Sequence, residues 1–412
     1  MDHDQFRLAP QELSKNQIMG KKIYLISYYF APLGRADGVN RTLLTKGLAD
    51  QGWKIDVVSC ANYKGTFLNF QEDTSLLRLL GEQVALYRIE NPQQSPFREL
   101  AAAVGMIPDA FEGWIKPAIS ACKKIVQDFG VIYAVIPPVT NAIVASYISQ
   151  HNQMPLVIDF RDNVFNLNRD IVQKAQAIIA STPQSLTEMI QFYQIGDQIK
   201  SLVAYNGFLE NSTDVIGSQQ KQKKNNQKIK IIYTGLLNYA QDPAILARCI
   251  KQLSKTRPDI MQKLGIDYYG PENYYTKIFL KPYLSQVIKF KGYVIFSEAL
   301  LAMSQADFGY TSLRYNSKSY CIPSKVFQYL SQGLPLIATG PDGALKELIN
   351  TYKIGVFSEF SNLERHKENI LNIIEKPHCV EELRMNVQKF SHIFQLKEQI
   401  MKISELLKSL GN

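Results

Sequence analysis

Short, apolar, β-prone runs recur along this chain, separated by stretches in which apolar residues return at helical intervals. KIYLISY, residues 22–28, leads into the glycine-containing loop APLGRADG. In VNRTLLTKGLADQG, Val39, Leu43, Leu44 and Leu48 then mark one helix face, and KIDVVSC follows Gly52. Strand, loop, helix and strand make a βαβ unit, whose right-handed crossover sets its two strands parallel. VALYRIE, VIYAVIPP, LVIDFRD, AQAIIASTP and SLVAYNG continue the pattern. A second series follows residue 228: KIIYTG, the helical DPAILARCIKQLS, LGIDYYG, VIKFKGY, ADFGYTS and LPLIATG.

A parallel sheet needs helices on both faces, so the fold class is α/β: two Rossmann-like parallel-sheet domains facing a cleft. The 412 residues exceed one ordinary core, which agrees with two domains. The expected division is a polar leader over 1–20, a first domain over 21–210, a lysine-rich linker over 211–228, a second domain over 229–390 and a terminal helix over 391–412. Composition is that of a globular protein, with 46% apolar and 20% charged residues. No apolar window is long enough to span a bilayer, and the opening stretch lacks the apolar region of a secretory signal. The five cysteines form no CxxC and the five histidines do not cluster, so reduced thiols, a cytoplasmic location and no metal site are expected.

The net charge of +9 owes part of its excess to QQKQKKNNQKIK, residues 219–230. The run reads as a solvated linker or as a contact for anionic lipid headgroups. It lacks the interleaved aromatics of a nucleic-acid surface, and no nucleic-acid partner is expected. Residues 95–126 carry Phe97, Leu100, Met106, Ile107, Phe111 and Trp114 amid few charges. They read either as a core helix pair or as a lip facing an acceptor or a membrane.

Three places carry candidate chemistry. The loop from Ala31 to Val39 joins a strand to a helix, where backbone N–H groups can face an anion, with Arg35 and Arg41 adding charge. It is neither GxGxxG nor a Walker A loop, so NAD and ATP are not indicated. DFRD, residues 159–162, ends a strand with charges that are either a structural knot or a site; Asp159 can pair with Arg161, and Asp162 can position a polar substrate group. Pro323 and Ser324 mark a helix start with Lys325 in its first turn, the less favourable end of the dipole for a cation, which suggests an anionic partner such as phosphate. An exposed helix lysine is the plainer alternative. The turn TGPDG after LPLIA offers further backbone donors. No GxSxG elbow and no local Cys–His pair suggest a hydrolase.

These pieces, in their order, resemble glycosyltransferases of the GT-B fold, in particular family 4, which are retaining and use nucleotide-sugar donors. The resemblance runs from about Lys22 to Phe357 through YYFAPLGRADGVNRTLLTKGLADQGWKIDVVS, PDAFEGW, VIPP, VIDFRD, ASTP, YNGF, YTGLLNYAQDP, YGP, FKGYV, ADFGY and IPSKVFQYLSQGLPLIATG. It implies an acceptor-side first domain, a donor-binding second domain and a last helix that crosses back to the first. It implies that Gly34 and Gly38 lie in a loop near the donor phosphates, that Asp162 stands on the acceptor side, that Gly235 opens the phosphate-facing loop and that Lys325 is the lysine of a PSK variant. The family's paired glutamates, counted back from Gly333, fall on Tyr320 and Gln328, neither acidic. Gln328 can still bond a ribose hydroxyl, Ser324 opens the same helix, and Arg41 and Arg314 are further donor-side candidates; the basic residue common after Gly235 is missing. Lys325 and Asp162 are the catalytic candidates.

The implied function is transfer of a sugar from a nucleotide-diphosphate sugar to a glycan or lipid-linked acceptor, with retention and without a metal, as in polysaccharide biosynthesis. The enzyme would be hexosyltransferase-like and cytoplasmic, at the inner face of an anionic membrane. A degenerate binder of sugar nucleotides or glycans is the alternative that the missing glutamates favour, and a nucleotide-sugar epimerase is a third.

Overall fold

The computed structural model describes residues 21–62, 71–103, 106–107, 109–210 and 228–410. The expected leader and nearly all of the lysine-rich linker lie outside the described residues.

The apolar runs form two sheets. The first holds β1 (Lys22–Ile26), β2 (Lys54–Cys60), β3 (Val84–Ile89), β4 (Val131–Ile136), β5 (Leu156–Phe160), β6 (Ala177–Ala180) and β7 (Lys200–Val203) in the order β3-β2-β1-β4-β5-β6-β7. The second holds β8 (Ile229–Thr234), β9 (Leu264–Tyr269), β10 (Ile288–Gly292), β11 (Phe308–Ser312), β12 (Leu336–Gly340) and β13 (Gly355–Glu359) in the order β10-β9-β8-β11-β12-β13. Every neighbouring pair is parallel, as the βα repeat requires. β13 has no counterpart among the strands expected from sequence. It is an edge strand paired only with β12, and its half-buried GVFSE lacks a continuous apolar run.

Helices cover both faces of each sheet. The helix Ala36–Asp50 starts before the expected Val39, so the loop's Ala-Asp-Gly forms its first turn and Asp37 sits where the dipole favours an acid. Leu43, Leu44 and Leu48 pack on the sheet beside Trp53. The last helix, Leu396–Lys408, shares that layer: Leu396, Ile400, Ile403 and Leu407 are buried there, each worth about 1.5–3 kcal/mol. Trp53 Nε1 donates to Ser404 Oγ at 2.9 Å. A Cβ on Gly47 would come within 2.6 Å of Ile400, so glycine permits this close approach. The chain thus passes between the halves at two neighbouring places, joined by Leu396 N–H to Phe208 O at 2.7 Å and Phe208 N–H to Phe394 O at 3.2 Å.

The apolar segment over 95–126 is core in one part and exposed in another. Trp114, Ala118 and Cys122 are core, and Trp114 Nε1 donates to Ile89 O at 2.9 Å. Phe97 and Met106 are 79% and 78% exposed. Parts of the segment, 104–105 and 108, lie outside the described residues.

In the second half His366 is fully buried against Tyr310, with Ser358 Oγ 3.2 Å from Nδ1. Burial disfavours the imidazolium and pulls its pKa down to about 4. An unfolded histidine titrates near 6.5, so the unfolded chain takes up a proton first as pH falls. Stability is full above that value and is lost between about 6.5 and 4. Between pH 6.5 and 5 this group should remove roughly 2 kcal/mol. The urea midpoint of wild type should therefore fall more steeply than that of His366→Gln over this range; parallel curves would refute the assignment.

Candidate functional site

In each sheet the strand order reverses at one place, between β1 and β4 and between β8 and β11. Crossovers leave in opposite directions there, which opens a crevice at the strands' carboxyl ends. The two crevices face one another and enclose a cavity of about 380 Å³. Gly34, Arg35 and Asp162 line it from the first half; Gly235, Lys325 and Gln328 line it from the second.

Gly235 ends β8 with a φ of +111°, a conformation that favours glycine. A Cβ there would sit in ordinary contact, 3.4 Å from Lys325 Cε and Nζ, so the backbone conformation is what calls for glycine. Lys325 opens the helix Lys325–Ser331 and extends over the Tyr233 ring, with Nζ 3.9 Å from the centroid. Nζ donates to Gln241 Oε1 at 2.8 Å. Burial without a carboxylate partner pulls this ammonium down to about 7. Ser324 also lines the cavity. The expectation that the helix start offers several amides is reduced: Val326 and Phe327 N–H already donate to Pro323 and Ser324 carbonyls at 2.9 and 3.1 Å. Gln328 is 7% exposed, and its Nε2 has no hydrogen-bond partner among the described residues. A buried amide donor facing a cavity costs about 1–3 kcal/mol until an acceptor arrives.

Asp162 stands opposite, just past β5. Its carboxylate is held from the second half by Lys318 Nζ, at 2.9 Å from Oδ1 and 2.8 Å from Oδ2, and by the Tyr320 hydroxyl. Tyr320, 3% exposed, thus turns its hydroxyl to Asp162, and its carbonyl accepts from Thr182 Oγ1 at 2.7 Å. Burial and the adjacent carboxylate push the Tyr320 phenol far up. Asp159 takes the structural role: it pairs with Arg161 at 2.6 Å and accepts from the Tyr133 hydroxyl at 2.7 Å.

Four of the candidates drawn from the sequence lie elsewhere than expected. Gly38 is inside the first helical turn, where a Cβ would clash with Leu33 O at 2.1 Å; its smallness serves packing, and it does not line the cavity. Arg41 is buried beneath the cleft, donating to Pro137 O and, at 3.5 Å, to Tyr29 O. Arg314 stacks on Tyr239 at 3.7 Å and lies 3.8 Å from Asp242, outside the cavity lining. The TGPDG turn does not line the cavity and packs on Ser319: Ala344 N–H donates to Ser319 O at 2.7 Å, and a Cβ on Gly343 would meet that oxygen at 2.2 Å. Gly34 does line the cavity, and there a Cβ would come 2.0 Å from the Tyr293 hydroxyl of the other half. Gln241, Tyr293 and Lys318 were missed. Each acts through a contact distant in sequence, which no local pattern signals.

No family model matches the chain, and no curated protein matches its sequence. Solved structures do resemble it. The structure of Anabaena HepE in complex with UDP and glucose aligns with a TM-score of 0.68 at 16% identity, covering 94% of this chain and 99% of that one. Sucrose-phosphate synthase from Thermosynechococcus elongatus aligns with a TM-score of 0.70 at 13% identity, over 94% and 98% of the two chains. WaaG, a glycosyltransferase involved in lipopolysaccharide biosynthesis, aligns at 0.62 and 11% identity, over 94% and 99%. The fold is GT-B. The two halves approach closely across the GT-B cleft where Gly34 meets Tyr293. Gly34→Ala should force the halves apart or distort the loop, at a cost of about 1–3 kcal/mol. Adding Tyr293→Phe, which removes the hydroxyl, should recover part of that loss in thermal unfolding. A double variant no more stable than Gly34→Ala alone would show that the two residues do not meet.

Proposed function

We propose that this protein is a glycosyltransferase that takes a nucleotide-diphosphate sugar in its cleft and transfers the sugar to a glycan or lipid-linked acceptor. The observation that carries the reading is the cluster at the second sheet's switch point: the Gly235 turn, the uncompensated Lys325 ammonium and the unpartnered Gln328 amide, all lining one cavity. A diphosphate supplies the anion that Lys325 lacks, and a ribose hydroxyl supplies the acceptor that Gln328 lacks. The complexes of HepE with UDP-glucose and with UDP support the same donor class.

The chemistry follows from the charges. As the anomeric C–O bond breaks, negative charge grows on the diphosphate, and Lys325 stabilises the leaving group more than the intact donor. The carboxylates lining the described cavity are Asp37 and Asp162. Asp37 lies 3.5 Å from Arg35, and Asp162 is held by Lys318 and Tyr320. Neither is placed as an unencumbered nucleophile, so the retention that the resemblance implies would proceed by front-face attack, the leaving phosphate taking the acceptor proton. Asp162 instead orients a hydroxyl. No metal has a role in this reading.

Two further readings have their own observations. The absence of a carboxylate at Tyr320 and Gln328 favours a degenerate binder, which would bind donor without releasing nucleoside diphosphate. Exposed Phe97 and Met106, with exposed Lys116, Lys123 and Lys124 on the helix Ile115–Ile125, support a peripheral seat on anionic membrane at the cytoplasmic face. Among the described residues no helix is long and apolar enough to cross a membrane. Co-sedimentation with phosphatidylserine vesicles should appear at low salt and weaken at high salt; binding indifferent to lipid charge would remove this reading.

Calorimetry with UDP-glucose, followed by an assay of released UDP, tests the main reading. With Lys325 near 7 in the free site, binding a dianionic donor above that pH requires proton uptake. Affinity should be flat below pH 7 and fall by up to about tenfold per unit above it. Lys325→Met should be flat throughout, and Lys325→Ala should lower turnover roughly 10- to 1000-fold. Gln328→Ala should weaken binding by about 1–2 kcal/mol. Gln328→Glu should hold or improve it if the residue faces ribose, and weaken it clearly if it faces phosphate. Unchanged affinity in both Lys325→Met and Gln328→Glu would remove the donor from this cavity.

A further inference from the structure

Lys318 belongs to none of the sequence motifs, yet it makes the most direct charged contact between the two halves at the cavity. Its loop is held from behind. Ser319 O accepts the Ala344 amide, and Gly343, at a φ of +149°, lets that turn approach where a side chain could not. It is also held from the front: the Tyr320 carbonyl accepts from Thr182, a buried residue that caps the helix Pro183–Tyr193 of the first half. Lys318 therefore reaches Asp162 from a fixed base.

The hydrogen bonds at Asp162 are uneven. Oδ1 accepts from Lys318, from the Tyr320 hydroxyl and from Asn163 N–H at 3.1 Å, whereas among the described residues Oδ2 accepts only from Lys318, at 2.8 Å. A carboxylate has about four acceptor positions, so Oδ2 keeps one for another donor. The side chain is 38% exposed and lines the cavity.

We propose that Lys318 is a positioning residue that assembles the sugar-facing carboxylate of the site across the cleft. It belongs to the half that carries Lys325 and fixes a carboxylate that belongs to the other. The open position on Asp162 Oδ2 then accepts one hydroxyl of a saccharide, at the place where Tyr320 stands instead of an acid. Closure of the cleft and readiness of that carboxylate become one event. The proposal rests on the glycosyltransferase reading for its ligand, but its cross-cleft contact can be measured without one.

The test uses the full chain, as Lys318→Met, Lys318→Asp, Asp162→Lys and the charge-swapped double variant. Without ligand, Lys318→Met should speed amide exchange about threefold to tenfold both at 159–168 and at 316–324, and the swap should restore protection. With UDP-glucose, Lys318→Met should lower kcat about tenfold and leave KM within about twofold, because the diphosphate contact at Lys325 is untouched. The swap should not restore kcat, since the carboxylate then hangs from the wrong half. Wild-type exchange in Lys318→Met overturns the contact. An unchanged kcat in Lys318→Met, or a swap that recovers kcat along with protection, reduces the pair to a strut and overturns the positioning role. If wild type binds no UDP-glucose while exchange still follows the charge pair, the donor reading fails and the proposed ligand fails with it; the contact alone survives.

Discussion

Parallel pairing carries every strand's carboxyl end to the same edge of its sheet, and the reversal of strand order beside β1 and β8 leaves a gap in the covering helices at that edge. The site follows from this constraint. Gly235 can turn tightly because it directly ends β8, and Lys325 can lie over it because the connection after β11 emerges next door. The first sheet presents Gly34 after β1 and Asp162 after β5 toward the same space. Neither half encloses the cavity alone.

The charges within that space are few and mostly matched. Among the described lining residues they are Arg35, Asp37, Asp162 and Lys325. Arg35 and Asp37 are neighbours, and Asp162 has Lys318. Among the described residues Lys325 has only a neutral amide and an aromatic face. A desolvated cation so placed is the least stable charge in the cavity, and a phosphate is the group that would relieve it most. The unmet demand of the site therefore lies in the second half, at Lys325 Nζ and at the unpartnered Gln328 Nε2.

Much of the architecture was legible because parallel strands buried on both faces must be apolar throughout. KIDVVSC, VIYAVI and LPLIATG announce themselves for that reason, while the half-buried edge strand β13 does not. Gly235 and Lys325 were legible as a turn and a helix start. Roles that depend on depth were less so. Arg41 and Gly38 sit in the same motif as Gly34, but one helical turn carries them beneath the surface, where carbonyls and Leu33 occupy them. Tyr320 falls on the first of the family's two glutamate positions, and the carboxylate that its hydroxyl meets, Asp162, is 158 residues away. Gly343 looked like a phosphate turn, and its missing side chain makes room for Ser319 O.

The helix Leu396–Lys408 sets an order on how the first half can be completed. Leu396–Lys408 completes the layer that covers the first sheet, and Trp53 waits for Ser404, 351 residues downstream. On the ribosome the first half would emerge whole and still lack part of its cover, with an apolar stripe along Ala36–Asp50 open until Leu396–Lys408 leaves the exit tunnel. A chain interrupted anywhere in the second half would carry that bare stripe, and so would be marked for chaperones or proteases however well its first sheet had formed.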